Sequence, residues 1–318
     1  MMDAIGGYFS LELPCHEEYH KDALRLNTGR NCLEYILLAR QYTKVYIPYY
    51  TCEVILEPFK KLGVAYTFYS INQDFEIADT IRLKTDEAIL YTNYYGLKSQ
   101  YVQKLAAQYG NQLIVDSTQA FFALPVVGVD TFYTCRKYFG VPDGAYLYSD
   151  VVLSDDMEQD VSFNHLSFLA KRIDVGAEEG YADFNEHEEK LNGQPIRTMS
   201  RLTGRLMRSI DYGAVALQRR TNFIQLHSAL ASSNELCVEL EPDNVPMVYP
   251  YLTKRSGLRE FLIENRVYVA KYWPNVLAWV HEDSLEHRFA TYMLPLPIDQ
   301  RYGYEQLDFM LHLLLKNN

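Results

Sequence analysis

The chain has 318 residues, 48% hydrophobic and 22% charged, enough to bury a large core and to divide into two unequal domains. Its net charge of −11 excludes a broad basic face for nucleic acid or an anionic membrane, but not a local anion site built from backbone amides and an arginine. Cys15, Cys32, Cys52, Cys135 and Cys237 form no CxxC pair, "MMDAIGGYFSLELP" is no secretory leader, and no run approaches about 18 apolar residues, so free thiols and a cytoplasmic location are expected.

The first motif along the chain is "HEEYH", His16 to His20, which matches the H-E-x-x-H pattern of zinc metallopeptidases. On a helix the two histidines would share a face, with Glu17 as general base. The context opposes that reading. Few residues precede it, and acidic residues just past Pro14 suit the first turn of a solvated helix.

From about residue 30 to 150, short apolar runs alternate with helical patterns. "LNTGRNCLEYILLAR" is a strongly apolar helix. "KVYIPYY" (44–50) reads as a strand, and "CEVILEPFKKLG" as a helix closing on Gly63. "VAYTFYSI" (64–71) and "EAILYTNYYG" (87–96) are further strands, with a helix following in "SQYVQKLAAQYG". "QLIVD" (112–116) is short, β-branched and apolar, as a buried parallel strand should be. "DTFYTC" and "AYLYSD" complete the set. This alternation predicts a mostly parallel sheet with helices on both faces, whose ligands sit beyond the carboxyl ends of the strands.

Residues 155–200 are polar and read as surface helices and loops. A long helical pattern through "MSRLTGRLMRSIDYGAVALQRRTNFIQLHSALAS" links a large domain, 1–225, to a smaller α+β domain, 226–318. In the latter, "VPMVYPYL" and "VYVAKYW" read as strands, "GLREFLIENR" and "YEQLDFMLHLLLK" as helices.

Three separated features fit one another. Asn27, Thr28, Gly29 and Arg30 open an apolar helix whose first amides suit a phosphate, with Arg30 able to add a charged contact. Asp116 ends a buried strand, with Gln119 three residues on; its charge must find a partner. Lys137 ends another strand of the same sheet, before a Pro-Asp-Gly turn. Each has an ordinary alternative: an N-cap, an ion pair, a solvated loop lysine. Together they are what pyridoxal 5'-phosphate (PLP) requires. A lysine of lowered pKa forms the Schiff base, a carboxylate keeps the pyridine nitrogen protonated, and a helix N-terminus holds the phosphate.

At these residues the chain resembles the fold-type I PLP enzymes, specifically the DegT/StrS-like sugar aminotransferases. "NTGRNCLEYIL" is similar to their phosphate segment, "VYIPYYTCEVILEPFKKLGVAYTFYSI" to their Pro-x-x-Thr strand-loop-helix, and "YTNYYGLKSQYVQKLAAQYGNQLIVDSTQAF" to their His-x-x-Gly segment leading to Asp-x-x-Gln. "DTFYTCRKYFGVPDGAYL" resembles their lysine segment. The resemblance implies a PLP-dependent transferase fold with Lys137 as the Schiff-base lysine, Asp116 on the pyridinium and Gln119 near the ring hydroxyl. It also implies a phosphate turn of Gly29, Arg30 and Asn31. Cys52 stands where an aromatic ring stacks in relatives, with Tyr50 close by. Phe132 replaces a phosphate-binding serine, for which Thr134 could substitute, and there is no Gly-Tyr-Asn-x-Arg segment.

The implied activity is transfer of an amino group, from glutamate or a similar donor, to a keto-sugar nucleotide or related carbonyl acceptor. The implied assembly is a homodimer with active sites at its interface. Substrates would be small molecules, with no nucleic acid, membrane or metal. A PLP-dependent sugar dehydratase or lyase on the same fold, and a degenerate non-catalytic member, are the alternatives; a zinc metallopeptidase is the remote one.

Overall fold

The computed structural model describes residues 5–153 and 156–316; residues 1–4, where the leader reading begins, and 154–155 and 317–318 lie outside the described residues. In chain order the first half runs β1 (Leu24–Leu26), α1 (Gly29–Arg40), β2 (Lys44–Pro48), α2 (Leu56–Leu62), β3 (Ala65–Tyr69), β4 (Glu87–Thr92), α3 (Ser99–Tyr109), β5 (Leu113–Asp116), β6 (Asp130–Thr134) and β7 (Ala145–Tyr148). There follow α4 (Ser167–Asp174), α5 (Tyr181–Lys190), α6 (Arg201–Met207), α7 (Tyr212–Leu230), β8 (Val248–Leu252), α8 (Leu258–Glu264), α9 (Val276–Trp279), α10 (Leu285–Tyr292), β9 (Met293–Pro297) and α11 (Tyr304–Leu315).

The main sheet has the order β1-β7-β6-β5-β4-β2-β3. All pairings from β3 to β6 are parallel, while β7 is antiparallel to β6 and β1 to β7. The strands β4, β5 and β6 are buried along their whole length, because the sheet is covered on both faces. Side-chain alternation sorts the two faces. Val45, Ile47, Ala88, Leu90, Ile114 and Phe132 pack with α1 and α2. Ile89, Tyr91, Leu113, Val115 and Tyr133 join the larger core, which continues into the C-terminal region around β8. Register puts Thr92 beside Asp116, at the carboxyl ends of β4 and β5, and Asp116 beside Phe132 in the middle of β6.

The structure departs from the sequence reading in several places, four of them in the elements themselves or the first motif. The long helical pattern after residue 199 is two helices, because Asp211 is extended and caps a new start by accepting from Ala214 N. "VYVAKYW" (267–273) alternates like a strand yet forms none; β8 pairs with β9 instead. Residues 24–26 form the short edge strand β1, absent from the reading. "HEEYH" is not helical. His16 is exposed, whereas His20 is buried with both ring nitrogens engaged, Nε2 to Phe121 O at 2.7 Å and Nδ1 to Tyr148 Oη at 3.3 Å. Its two histidines therefore share no face for a metal, and no cluster of metal-ligating side chains exists among the described residues. All five cysteines are free thiols, and no described helix is long and apolar enough to cross a membrane.

Candidate active site

The three features separated in sequence meet around Thr118. Asp116 Oδ1 accepts from Thr118 N at 2.8 Å, the short aspartate turn that such residues favour at a strand end. Lys137 Nζ donates to Thr118 Oγ1 at 2.9 Å. A Cβ placed on Gly29 would stand 3.3 Å from Thr118 Cγ2 and 3.8 Å from Phe132 Cδ2, so the start of α1 closes against the same residue. A lysine, a carboxylate and a helix N-terminus thus surround one threonine that sequence reasoning passed over. Its only local signal was its place inside the Asp-x-x-Gln segment.

Asp116 is 7% exposed. Its Oδ1 is engaged, and Oδ2 has no hydrogen-bond partner among the described residues. Lys137 is solvent-exposed and forms no ion pair among them; its described hydrogen bond is to a neutral hydroxyl. Gln119 is buried and its Oε1 accepts from Tyr95 N at 2.9 Å. That bond fixes the amide orientation and leaves Nε2 as a donor without a described partner. Tyr95 itself has a left-handed backbone (φ 58°), uncommon for a bulky residue, and Gly96 follows at φ 74°.

At the start of α1, Thr28 caps the helix and its Oγ1 accepts from Asn31 N at 3.2 Å. The amides of Gly29 and Arg30 have no partner among the described residues, as expected of a first turn. The side chains around them are placed otherwise than the sequence suggested. The Arg30 guanidinium pairs with Glu57 at 2.8 Å and with Asn192, so its charge is already answered. Asn31 is buried, with Nδ2 donating to Gln194 O at 2.9 Å and to Glu34. Residues 192–197 form a strap across this helix end, with further bonds from Asn27 to Pro195 O and from Gly193 N to Glu57. The strap was not anticipated; its turn signals were Asn192-Gly193, with Gly193 at φ 68°, and Pro195.

Phe132 packs against α1 at the place of the missing serine, and Thr134 stands two residues on, on the same strand face. The Thr134 hydroxyl reaches Gly144 O only at 3.5 Å, the weak end of hydrogen bonding. Cys52 is half-buried at the start of a short turn of helix. Tyr50 does not replace the aromatic ring expected there. It is fully buried, edge-on to Trp273 at 4.5 Å, and hydrogen-bonds Tyr95 Oη at 3.0 Å. Arg136, the other half of the basic pair, turns away to form an ion pair with Glu188 on α5. Burial, and then the neighbouring charge of Arg30, lower its pKa to about 10. Beside it, burial pushes the Asp143 carboxyl up to about 6.

These residues suit PLP in four respects. The amine forms no ion pair and two helix amides have no partner among the described residues, the strand-end carboxylate has one oxygen open, and no Cβ obstructs position 29.

No protein-family model matches the chain, and no curated protein matches it. Solved structures do. A DegT DnrJ EryC1 StrS aminotransferase from Brucella abortus superposes with a TM-score of 0.62 at 16% identity, over 94% of this chain and 89% of its own. The sugar aminotransferase CalS13 of Micromonospora echinospora gives 0.60 at 13% identity, over 94% and 88%. The PLP form of a Streptococcus pneumoniae protein assigned as a sugar aminotransferase gives 0.63 at 12% identity, over 94% and 91%. At these identities the likeness is one of fold: the chain has the α/β architecture of these aminotransferases.

Proposed function

We propose that the protein is a PLP-dependent aminotransferase, with Lys137 as the residue that attaches the cofactor. The convergence of Lys137, Asp116 and the start of α1 on Thr118 carries this reading. Bound there, PLP supplies an electrophilic carbonyl and a ring that draws electron density from the carbon beside a substrate's nitrogen. Lys137 Nζ would provide the amine that attaches the cofactor, and its described hydrogen bond is to a neutral hydroxyl. The same amine would stand as proton donor and acceptor beside the substrate carbon. The buried carboxylate of Asp116, with Oδ2 open, would favour a protonated ring nitrogen. Gln119 Nε2 would be the donor for the ring oxygen, and the amides of Gly29 and Arg30 would hold the phosphate.

The reading takes as substrates glutamate or a similar amino donor and a keto-sugar nucleotide or related carbonyl acceptor, supported by the fold shared with sugar aminotransferases such as CalS13. A homodimer fits the exposure of Lys137, since a second copy would exclude water from it. Division at about residue 225 falls within α7, which spans both regions.

Incubation with PLP should give a visible absorption band. Borohydride reduction should then fix the label on the peptide carrying Lys137, and Lys137→Ala should lose it. A colourless wild type, or a label fixed elsewhere, refutes the assignment. Product masses with and without glutamate separate amino transfer from elimination.

A further inference from the structure

Tyr138, the residue after Lys137, is held from three directions. Its carbonyl accepts from Gln300 Nε2 at 2.8 Å and from Arg219 Nη2 at 3.3 Å. The Arg219 guanidinium lies 4.3 Å from the centre of its ring. Its hydroxyl donates to Gln119 O at 2.7 Å.

Arg219 projects from α7 and is 1% exposed, yet it forms no ion pair among the described residues. Its donors go to Met247 O at 2.9 Å, Pro246 O at 3.4 Å, the Gln300 side chain at 3.0 Å and Tyr138 O. Asp299 lies near enough to favour the charge but does not pair with it directly; a buried cation so placed is costly, and an apolar side chain would fill the same volume without that cost. Its directed donors are the gain. Met247 N in turn donates to Tyr95 O at 2.8 Å, and Tyr95 N to Gln119 Oε1. A closed circuit therefore runs from Tyr138 through Gln119, Tyr95, Met247 and Arg219 back to Tyr138. It ties the C-terminal region to both strand-end segments.

We infer that Arg219, together with Gln300, is a positioning residue for Lys137: the pair fixes the main chain on the lysine's carboxyl side, and so the place from which Nζ reaches Thr118. This rests on the reading of Lys137 as the cofactor-attaching residue. With PLP as the probe, three quantities separate positioning from mere support: the rate of borohydride-fixed labelling at Lys137, the pH midpoint of the visible band, and the thermal midpoint.

Gln300→Leu removes one clamp without changing charge. It loses the bonds to Tyr138 O and from Arg219 Nε, and should slow labelling at least about tenfold and shift the pH midpoint, in protein that stays folded. Arg219→Met should do more, and Arg219→Lys should recover part of the loss. Wild-type labelling rates and pH midpoints in folded Gln300→Leu and Arg219→Met overturn the inference. So does a loss that only tracks the unfolded fraction. A wild type that never labels Lys137 is a different failure, because it removes the functional reading and this inference together.

Discussion

Acidification should destabilise this protein through His20, and the size of the effect can be worked from its surroundings. The imidazole is 1% exposed and boxed by Tyr133 at 4.1 Å, Phe121 at 4.8 Å and Tyr146 at 5.2 Å between ring centres. Burial lowers its pKa from 6.5 to about 4, against a smaller opposing effect of its bond to Phe121 O. The folded pKa lies below the unfolded one. The associated stability is therefore present above pH 6.5 and is lost as pH falls toward 4, where the unfolded chain binds a proton that the fold refuses. At 1.36 kcal/mol per unit, the loss is about 2 kcal/mol at pH 5 and about 3 kcal/mol at pH 4. His20→Gln keeps an amide donor for Phe121 O and does not titrate. Urea unfolding of both proteins from pH 7.5 to 4 should show the wild type's stability falling relative to the variant by those amounts. A difference that stays flat within about 0.5 kcal/mol would refute the neutral buried imidazole. The site has a stake in the outcome, since Phe121 lies two residues beyond Gln119.

Asp143 should show the opposite slope. Its carboxyl accepts from Thr203 and Ser200 through Oδ1, Oδ2 has no partner, and burial raises its pKa from 3.8 to about 6. Its folded pKa is the higher, so its contribution is full below pH 3.8 and lost as pH rises through 6. Relative to Asp143→Asn, the wild type should gain about 3 kcal/mol between pH 7 and 3.8 in the same unfolding series. Gly144→Ala should lower stability by about 3 kcal/mol at pH 7.5 in urea. The new Cβ would sit 2.8 Å from Thr203 Cγ2 and 3.1 Å from Cys135 Sγ, at a φ of 104° that suits only glycine.

Much of the parallel sheet was legible because its signals are local. Runs such as Glu87–Thr92 and Leu113–Asp116 are buried on both faces, so their apolar continuity and brevity sufficed, and the carboxyl ends where chemistry collects followed from topology. "VYVAKYW" misled for the same reason, since an extended loop over a core can alternate like a strand. The strand β9 was hidden by Pro295 and Pro297. They are tolerated because in a two-stranded sheet Pro250 faces Pro295 at a pair where neither need donate.

The sequence by itself determined the strand end on which Asp116 stands and the helix that opens at Gly29, while Lys137 falls in the turn three residues past the end of β6. Only the tertiary structure decided what those side chains meet. It made Thr118 the common neighbour of all three, turned the Arg30 charge toward Glu57, sent Tyr50 into the core, and braced Lys137 through Tyr138 and Arg219. The physical reason is range. Periodicity and capping are written within a few residues, whereas the partner of a charge is settled by whichever distant group packing brings within about 3 Å of it.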